Sequence, residues 1–73
     1  MINWIEVSNS SRVSAVAYDS ESETIYVRFK KEGVEWWYSS CPVFIWEQFN
    51  MPGVSKGSFI HTQLDNHPNG RLV

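Results

Sequence analysis

The chain has 73 residues, enough for one domain, and a chain this short buries only about 60% of the surface its unfolded form exposes. Six Lys and Arg stand against eight Asp and Glu, and the resulting charge of −2 argues against a strong duplex-DNA binder, which needs a basic surface to displace counterions. The single cysteine, Cys41, excludes an internal disulfide framework and a multi-cysteine zinc site, and the absence of a long apolar run or a signal-peptide pattern leads us to expect a cytoplasmic protein with no membrane partner.

Residues 1–7 alternate weakly through Ile2, Trp4 and Val7, which suits a short edge strand. Ser8, Asn9, Ser10 and Ser11 form a polar turn. Residues 12–18 alternate again, with Val13, Ala15 and Ala17 expected on one face. The small side chains of Ala15 and Ala17 would let something bulky lie close to that strand. Residues 19–23 read as an acidic turn.

Residues 24–40 are the most informative stretch. Ile25, Val27 and Phe29 alternate with Tyr26, Arg28 and Lys30. After Gly33, Val34, Trp36 and Tyr38 alternate with Glu35 and Trp37. Two such runs around a glycine turn predict an antiparallel hairpin. With residues 30–33 as a four-residue loop, Phe29 faces Val34, Val27 faces Trp36 and Ile25 faces Tyr38. The same register sets Arg28 against Glu35 and Tyr26 against Trp37. Each such pair is worth roughly 0.2–1 kcal/mol, and a one-residue slip would turn charge toward the core.

The second half changes character. Pro42 suits the first position of a helix over residues 43–50, with Ile45 and Phe49 inward, and Met51, Pro52 and Gly53 stop it. A second short helix is expected from Ser55 or Ser58 to Asn66, burying Phe59, Ile60 and Leu64. Pro68, Asn69 and Gly70 end the structure, and the tail of Arg71, Leu72 and Val73 is expected to fray. The expected fold is α+β: a three- to four-stranded antiparallel meander followed by two short helices packed on one face.

Helices covering Val13, Ala15, Ala17, Ile25, Val27, Phe29, Val34, Trp36 and Tyr38 would leave an opposite face of Ser14, Val16, Tyr18, Thr24, Tyr26, Arg28, Glu35 and Trp37. Val16 would stand beside Tyr26, and Tyr26 beside Trp37, with Arg28 and Arg12 nearby. Aromatics are 15% of the chain, with four tryptophans, and so small a domain does not hide them all. An aromatic row with basic neighbours can stack bases, at about 1–3 kcal/mol each. It can equally anchor a protein interface. It can also be covered by the N-terminal strand or the tail of the same chain.

Other constellations are thinner. Ser55, Lys56, Gly57 and Ser58 read either as a small anion site or as an ordinary helix cap. Cys41 before a helix, with His61 or His67 as base, is a bare nucleophile pairing, against a small residue at a strand-to-helix junction. His61, Asp65 and His67 are a metal-capable set, against a solvated helix face. No catalytic group, metal or cofactor is expected.

Motif order adds a family. Ser10 and Ser11 lead into a strand ending in Val16, Ala17, Tyr18 and Asp19. A strand ending in Phe29, a turn at Gly33, the aromatic run Trp36, Trp37 and Tyr38, the helix start Cys41 and Pro42, and then Ser55, Gly57 and Phe59 follow. This resembles the KTSC domain, a module named for the C-terminus of some lysyl-tRNA synthetases and also found alone in bacteria and phages. The resemblance spans roughly Val7 to Leu64 and implies a single KTSC-like domain over residues 1–73. Trp36 stands where the family has a tyrosine, and Cys41 where it has a valine. The synthetase association implies RNA binding by analogy.

The resulting expectation is a small non-catalytic module that binds RNA or a nucleotide through Tyr26, Arg28 and Trp37, with Ser55, Lys56, Gly57 and Ser58 adding contacts. The alternative is a protein-interaction or self-assembling module using the same face, in one version a phage-encoded inhibitor of a host protein or an oligomer that sequesters a nucleotide signal.

Overall fold

The hairpin forms in the register its pairing chemistry dictates. Strand β3 (Thr24–Phe29) runs antiparallel to β4 (Glu35–Tyr38), pairing Ile25 with Tyr38, Tyr26 with Trp37, Val27 with Trp36 and Arg28 with Glu35. The Phe29 N–H donates to the Val34 carbonyl at 2.8 Å and closes the loop around the 3₁₀ turn Lys31–Gly33. Glu32 and Gly33 both take left-handed backbone, φ 59° and 62°, so the glycine is used where the turn needs positive φ. The structure, a computed structural model, describes residues 2–72. Met1 and Val73, parts of the first alternating run and of the tail, lie outside the described residues.

Three more strands complete a five-stranded antiparallel sheet in the order β1-β2-β3-β4-β5, one or two more than the sequence suggested. They are β1 (Ile5–Glu6), β2 (Val13–Asp19) and β5 (Asn69–Arg71). The tail therefore does not fray at Arg71. It pairs Trp36 with Arg71, Trp37 with Gly70 and Tyr38 with Asn69. The Leu72 N–H reaches the Glu35 carbonyl at 2.8 Å, and the Ser39 N–H reaches the Pro68 carbonyl at 2.9 Å. The physical reason is the outer edge of β4, whose row of unpaired N–H and C=O groups recruits the next available segment.

Strand β2 corrects the expected faces. Val13 pairs with Phe29 but Ala15 pairs with Arg28, so Ser14 is an extra residue, a bulge whose hydroxyl donates to the Arg28 carbonyl at 3.2 Å. Past the bulge the alternation is inverted. Val16 pairs with Val27 and Tyr18 with Ile25, toward the helices, while Ala15 and Ala17 turn to the open face. Ala17, not Val16, is therefore the neighbour of Tyr26.

Helix α1 (Val43–Phe49) starts behind Pro42, which stands at the capping position rather than the first helical one. It ends at Asn50, and Gly53 at φ 85° turns the chain. Helix α2 (Lys56–Thr62) begins at Ser55, whose Oγ accepts from the Ser58 N–H at 3.3 Å. The expected continuation to Asn66 breaks at Gln63 into a 3₁₀ turn, Leu64–Asn66. The helical segments bring Phe49, Ile60 and Leu64 onto Val13, Val16, Ile25, Val27, Tyr38 and Cys41. Each large side chain so buried contributes roughly 1.5–3 kcal/mol. Among the described residues no helix is long and apolar enough to cross a membrane.

Candidate functional site

The expected site residues fall on two opposite sides of the sheet. Tyr26, Arg28 and Trp37 share the face away from the helices, as cross-strand and diagonal neighbours. That face is partly closed by the chain itself. Continuing the β1 register by one residue sets Trp4 beside Ala17. The Trp4 ring meets Tyr26 edge-on at 6.4 Å, and the Arg28 guanidinium lies 4.4 Å above the Trp4 ring centroid. Ala15 and Ala17 are consequently 2% and 1% exposed although no helix lies over them. Trp4 is thus the bulky group that the two alanines admit. Arg28 also donates to Glu35 at 2.8 Å, so its charge is committed within the face. Trp37 rests on Gly70 of β5. The row is a half-buried aromatic cluster.

Ser55, Lys56, Gly57 and Ser58 lie on the helix side. Ser55 caps α2, and the Lys56 ammonium donates to the Phe49 carbonyl at 2.7 Å and to Asn50 Oδ1 at 3.2 Å, above the Phe49 ring. Burial holds the Lys56 pKa below its ordinary value. The ammonium therefore fastens α2 to the end of α1.

A concave surface also lies on the helix side, at the hairpin tip. Helices of seven residues are about 10 Å long and leave this end of the sheet uncovered. Phe29, Val34, Trp36 and Tyr38 line a groove of about 590 Å³ there. Trp36 is fixed in place by its Nε1–H, which donates to Asn69 Oδ1 at 2.9 Å. Burial, with the charge of Asp65 adding to it, pushes the Tyr38 hydroxyl up to about 12, so it stays a neutral donor. The rim carries Arg12 and Lys31 against Glu32 and Asp65. Arg12 crosses the rim with its guanidinium 5.7 Å from the Phe29 ring centroid. Beyond it lies a second, polar cleft that includes Ser55, Lys56, Gly57 and Ser58.

Sequence reading placed Arg12 near the aromatic row and treated Phe29, Val34 and Trp36 as core. The sequence offered no clear signal for this: the second helix was expected to run on to Asn66, whereas the observed helices have seven residues each and stop short of the hairpin tip.

The Cys41 thiol is fully buried, donates to the Ser39 carbonyl at 3.4 Å, and is pushed up to about 11 by burial. An activated nucleophile needs the opposite shift. Among the described residues no three His, Cys, Asp or Glu side chains gather as metal ligands, so His61, Asp65 and His67 do not form a metal site there.

The profile of the KTSC domain matches residues 9–67, most of the chain. A crystal structure of a KTSC domain protein from Yersinia pestis is similar over the full length of both chains, at a TM-score of 0.86 and 24% identity, a likeness of fold. No curated protein matches the sequence.

Proposed function

The chain belongs to the KTSC domain family, and from that premise we propose that it is a small non-catalytic binding module whose ligand is a nucleotide, free or as a residue of single-stranded RNA. The observation that carries this reading is the groove of Phe29, Val34, Trp36 and Tyr38, with Arg12 on its rim. Concave, aromatic-lined surfaces with a few convergent polar groups are the usual form of small-molecule sites. A planar base stacks on such side chains at about 1–3 kcal/mol. The open face with Tyr26, Arg28 and Trp37 supports the reading less well, because Trp4, Glu35 and Gly70 already engage those side chains.

Tryptophan fluorescence tests it. The protein is titrated with ribonucleoside 5′-monophosphates and with a short single-stranded RNA, alongside Trp36→Phe and Trp37→Phe. The expected result is a ligand-dependent change lost in Trp36→Phe and kept in Trp37→Phe. The reverse pattern would move the site to the open face. A steep fall of affinity with salt would identify RNA, and a shallow one a free nucleotide.

A second reading, a protein-interaction or self-assembling module, has its own support. Val43, Phe44 and Met51 are exposed apolar side chains on and just beyond α1. Light scattering across a concentration series tests it: a mass that rises with concentration, and returns to that of one chain in Phe44→Ser, would favour this reading.

A further inference from the structure

The polar cleft beside the groove has an unusual charge balance for an acidic chain. Its walls carry the hydroxyl residues Ser10, Ser11, Ser55, Ser58 and Thr62. Arg12, Lys56 and His61 are its basic residues, and no Asp or Glu lines it. The whole protein has a net charge of −2, so the cleft departs from the average surface in sign.

Arg12 is the side chain that joins this cleft to the apolar groove, because it lines both. Its stem runs against Gly57, where an added Cβ would stand 3.3 Å from Arg12 Cδ. Its guanidinium packs on Phe29. Among the described residues it faces no carboxylate within ion-pair distance, unlike Arg28. A guanidinium offers five N–H donors in a planar fork that suits phosphate. The residue is otherwise exposed, so an anion can reach the guanidinium from solvent. Lys56 supplies charge to the same wall but already donates to Phe49 and Asn50. The Ser55 Oγ is likewise engaged as a cap. Among the described residues the side chains of Ser11, Arg12, Ser58 and His61 have no such engagement, and of these Arg12 carries the permanent charge.

We infer that the cleft at Arg12 holds the phosphate of a phosphomonoester whose flat ring lies in the adjoining groove, so that the ligand class is a nucleoside 5′-monophosphate rather than a neutral nucleoside. The inference rests on the proposed reading of the groove as a ring site. It adds a polarity: ring toward Phe29 and Trp36, phosphate toward Ser11, Arg12 and Ser58. Gly57 then serves the site by leaving room for the Arg12 stem, a role separate from helix geometry.

Calorimetry with four nucleosides, their 5′-monophosphates and inorganic phosphate tests this on the intact chain, on Arg12→Gln, on Arg12→Lys and on Gly57→Ala. A charge-assisted phosphate contact predicts that at least one monophosphate binds about tenfold or more tighter than its nucleoside. Arg12→Gln should weaken that monophosphate at least about tenfold and its nucleoside by much less, because Arg12 also borders the groove. Arg12→Lys should recover part of the difference, and Gly57→Ala should lose part of it by displacing the Arg12 stem. Equal affinity for nucleoside and monophosphate would overturn the phosphate site and leave the groove reading standing. Inorganic phosphate bound in an Arg12-dependent way, with no nucleoside bound, would support the phosphate site and overturn the groove reading. Binding of none of these probes would overturn both.

Discussion

The Trp37 indole rests so closely on Gly70 that a Cβ at residue 70 would stand 2.8 Å from Cζ2 and 3.0 Å from Cε2. The two residues are register partners across β4 and β5, so the ring and the backbone of the last strand form one unit. Gly70→Ala must therefore move either a strand-held ring or the strand itself. Overpacking of this kind costs about 1–3 kcal/mol. We expect Gly70→Ala to lower the denaturation midpoint and to reduce hydrogen-exchange protection at the Leu72 amide. Adding Trp37→Leu should remove most of the penalty of the alanine. Strictly additive effects of the two substitutions would contradict the contact.

Trp4 is predicted to hold the open face of the sheet. It packs edge-on to Tyr26 and lies under the Arg28 guanidinium, and it explains why Ala15 and Ala17 are buried on a face without helices. Its strand, β1, is only two residues long, so side-chain packing rather than the ladder carries the attachment. Aromatic and cation–π contacts of this kind add about 0.5–1.5 kcal/mol each beyond area burial. Trp4→Ala should destabilise the fold by about 1–3 kcal/mol, with Trp4→Phe intermediate. Chemical denaturation measures it. Unchanged stability in Trp4→Ala would mean that the indole leaves the sheet in solution.

Much of this arrangement was legible in the residues, and the failures share a cause. The hairpin register followed from pairing Arg28 with Glu35 and Tyr26 with Trp37, which are local relations between adjacent runs. The capping serine of α2 and the stop at Gly53 were likewise local. What sequence alone did not show was nonlocal. One extra residue at Ser14 exchanged Val16 for Ala17 on the open face, and no side-chain pattern in VSAVAY marks a bulge. The tail became a strand because β4 offered a free edge, a property of the sheet and not of residues 69–71. The same bulge and tail decide the site. They leave Tyr26 and Trp37 engaged with their own chain, and they set Arg12, next to the bulged strand, between two clefts.

Tyr18 ties α1 to the sheet through two separable contacts. Its ring stacks on Trp46 at 5.4 Å between centroids and 10° between planes, and its hydroxyl donates to the Cys41 carbonyl at 2.7 Å. Tyr18→Phe keeps the stack and leaves that carbonyl without this donor. The expected loss is about 1–2 kcal/mol. Tyr18→Ala removes both and should cost about 3–5 kcal/mol, as for other large aromatics cut back to alanine. Thermal melts of the two variants distinguish the contributions. A Tyr18→Phe variant as stable as the parent would mean that water replaces the hydroxyl without penalty.

On the alkaline side, Cys41 should erode stability first and Tyr38 second, offset in part by Lys56, whose lowered pKa acts in the opposite sense. Burial pushes the Cys41 thiol from its ordinary 9.0 up to about 11, and the Tyr38 hydroxyl from 10.0 up to about 12. Both groups are acids whose neutral form the fold prefers. Between pH 9 and 11 the unfolded chain has lost the Cys41 proton while the folded chain keeps it. The folded state then binds more protons, so stability falls as pH rises. The contribution is fully present below about pH 9 and is lost by about pH 11. Two units correspond to roughly 1–3 kcal/mol at a site of this kind. Tyr38 repeats the effect about one unit higher. In Cys41→Ala the decline should therefore begin near pH 10 rather than 9, even though the variant starts from a lower stability because a buried sulfur has been removed. Urea titrations from pH 7 to 11 on both proteins measure the difference. Parallel curves across that range would show that the thiol titrates alike in the folded and unfolded chains. Native Cys41 should also react with iodoacetamide at pH 8.5 far more slowly than the urea-unfolded chain, which reads the same burial by an independent route.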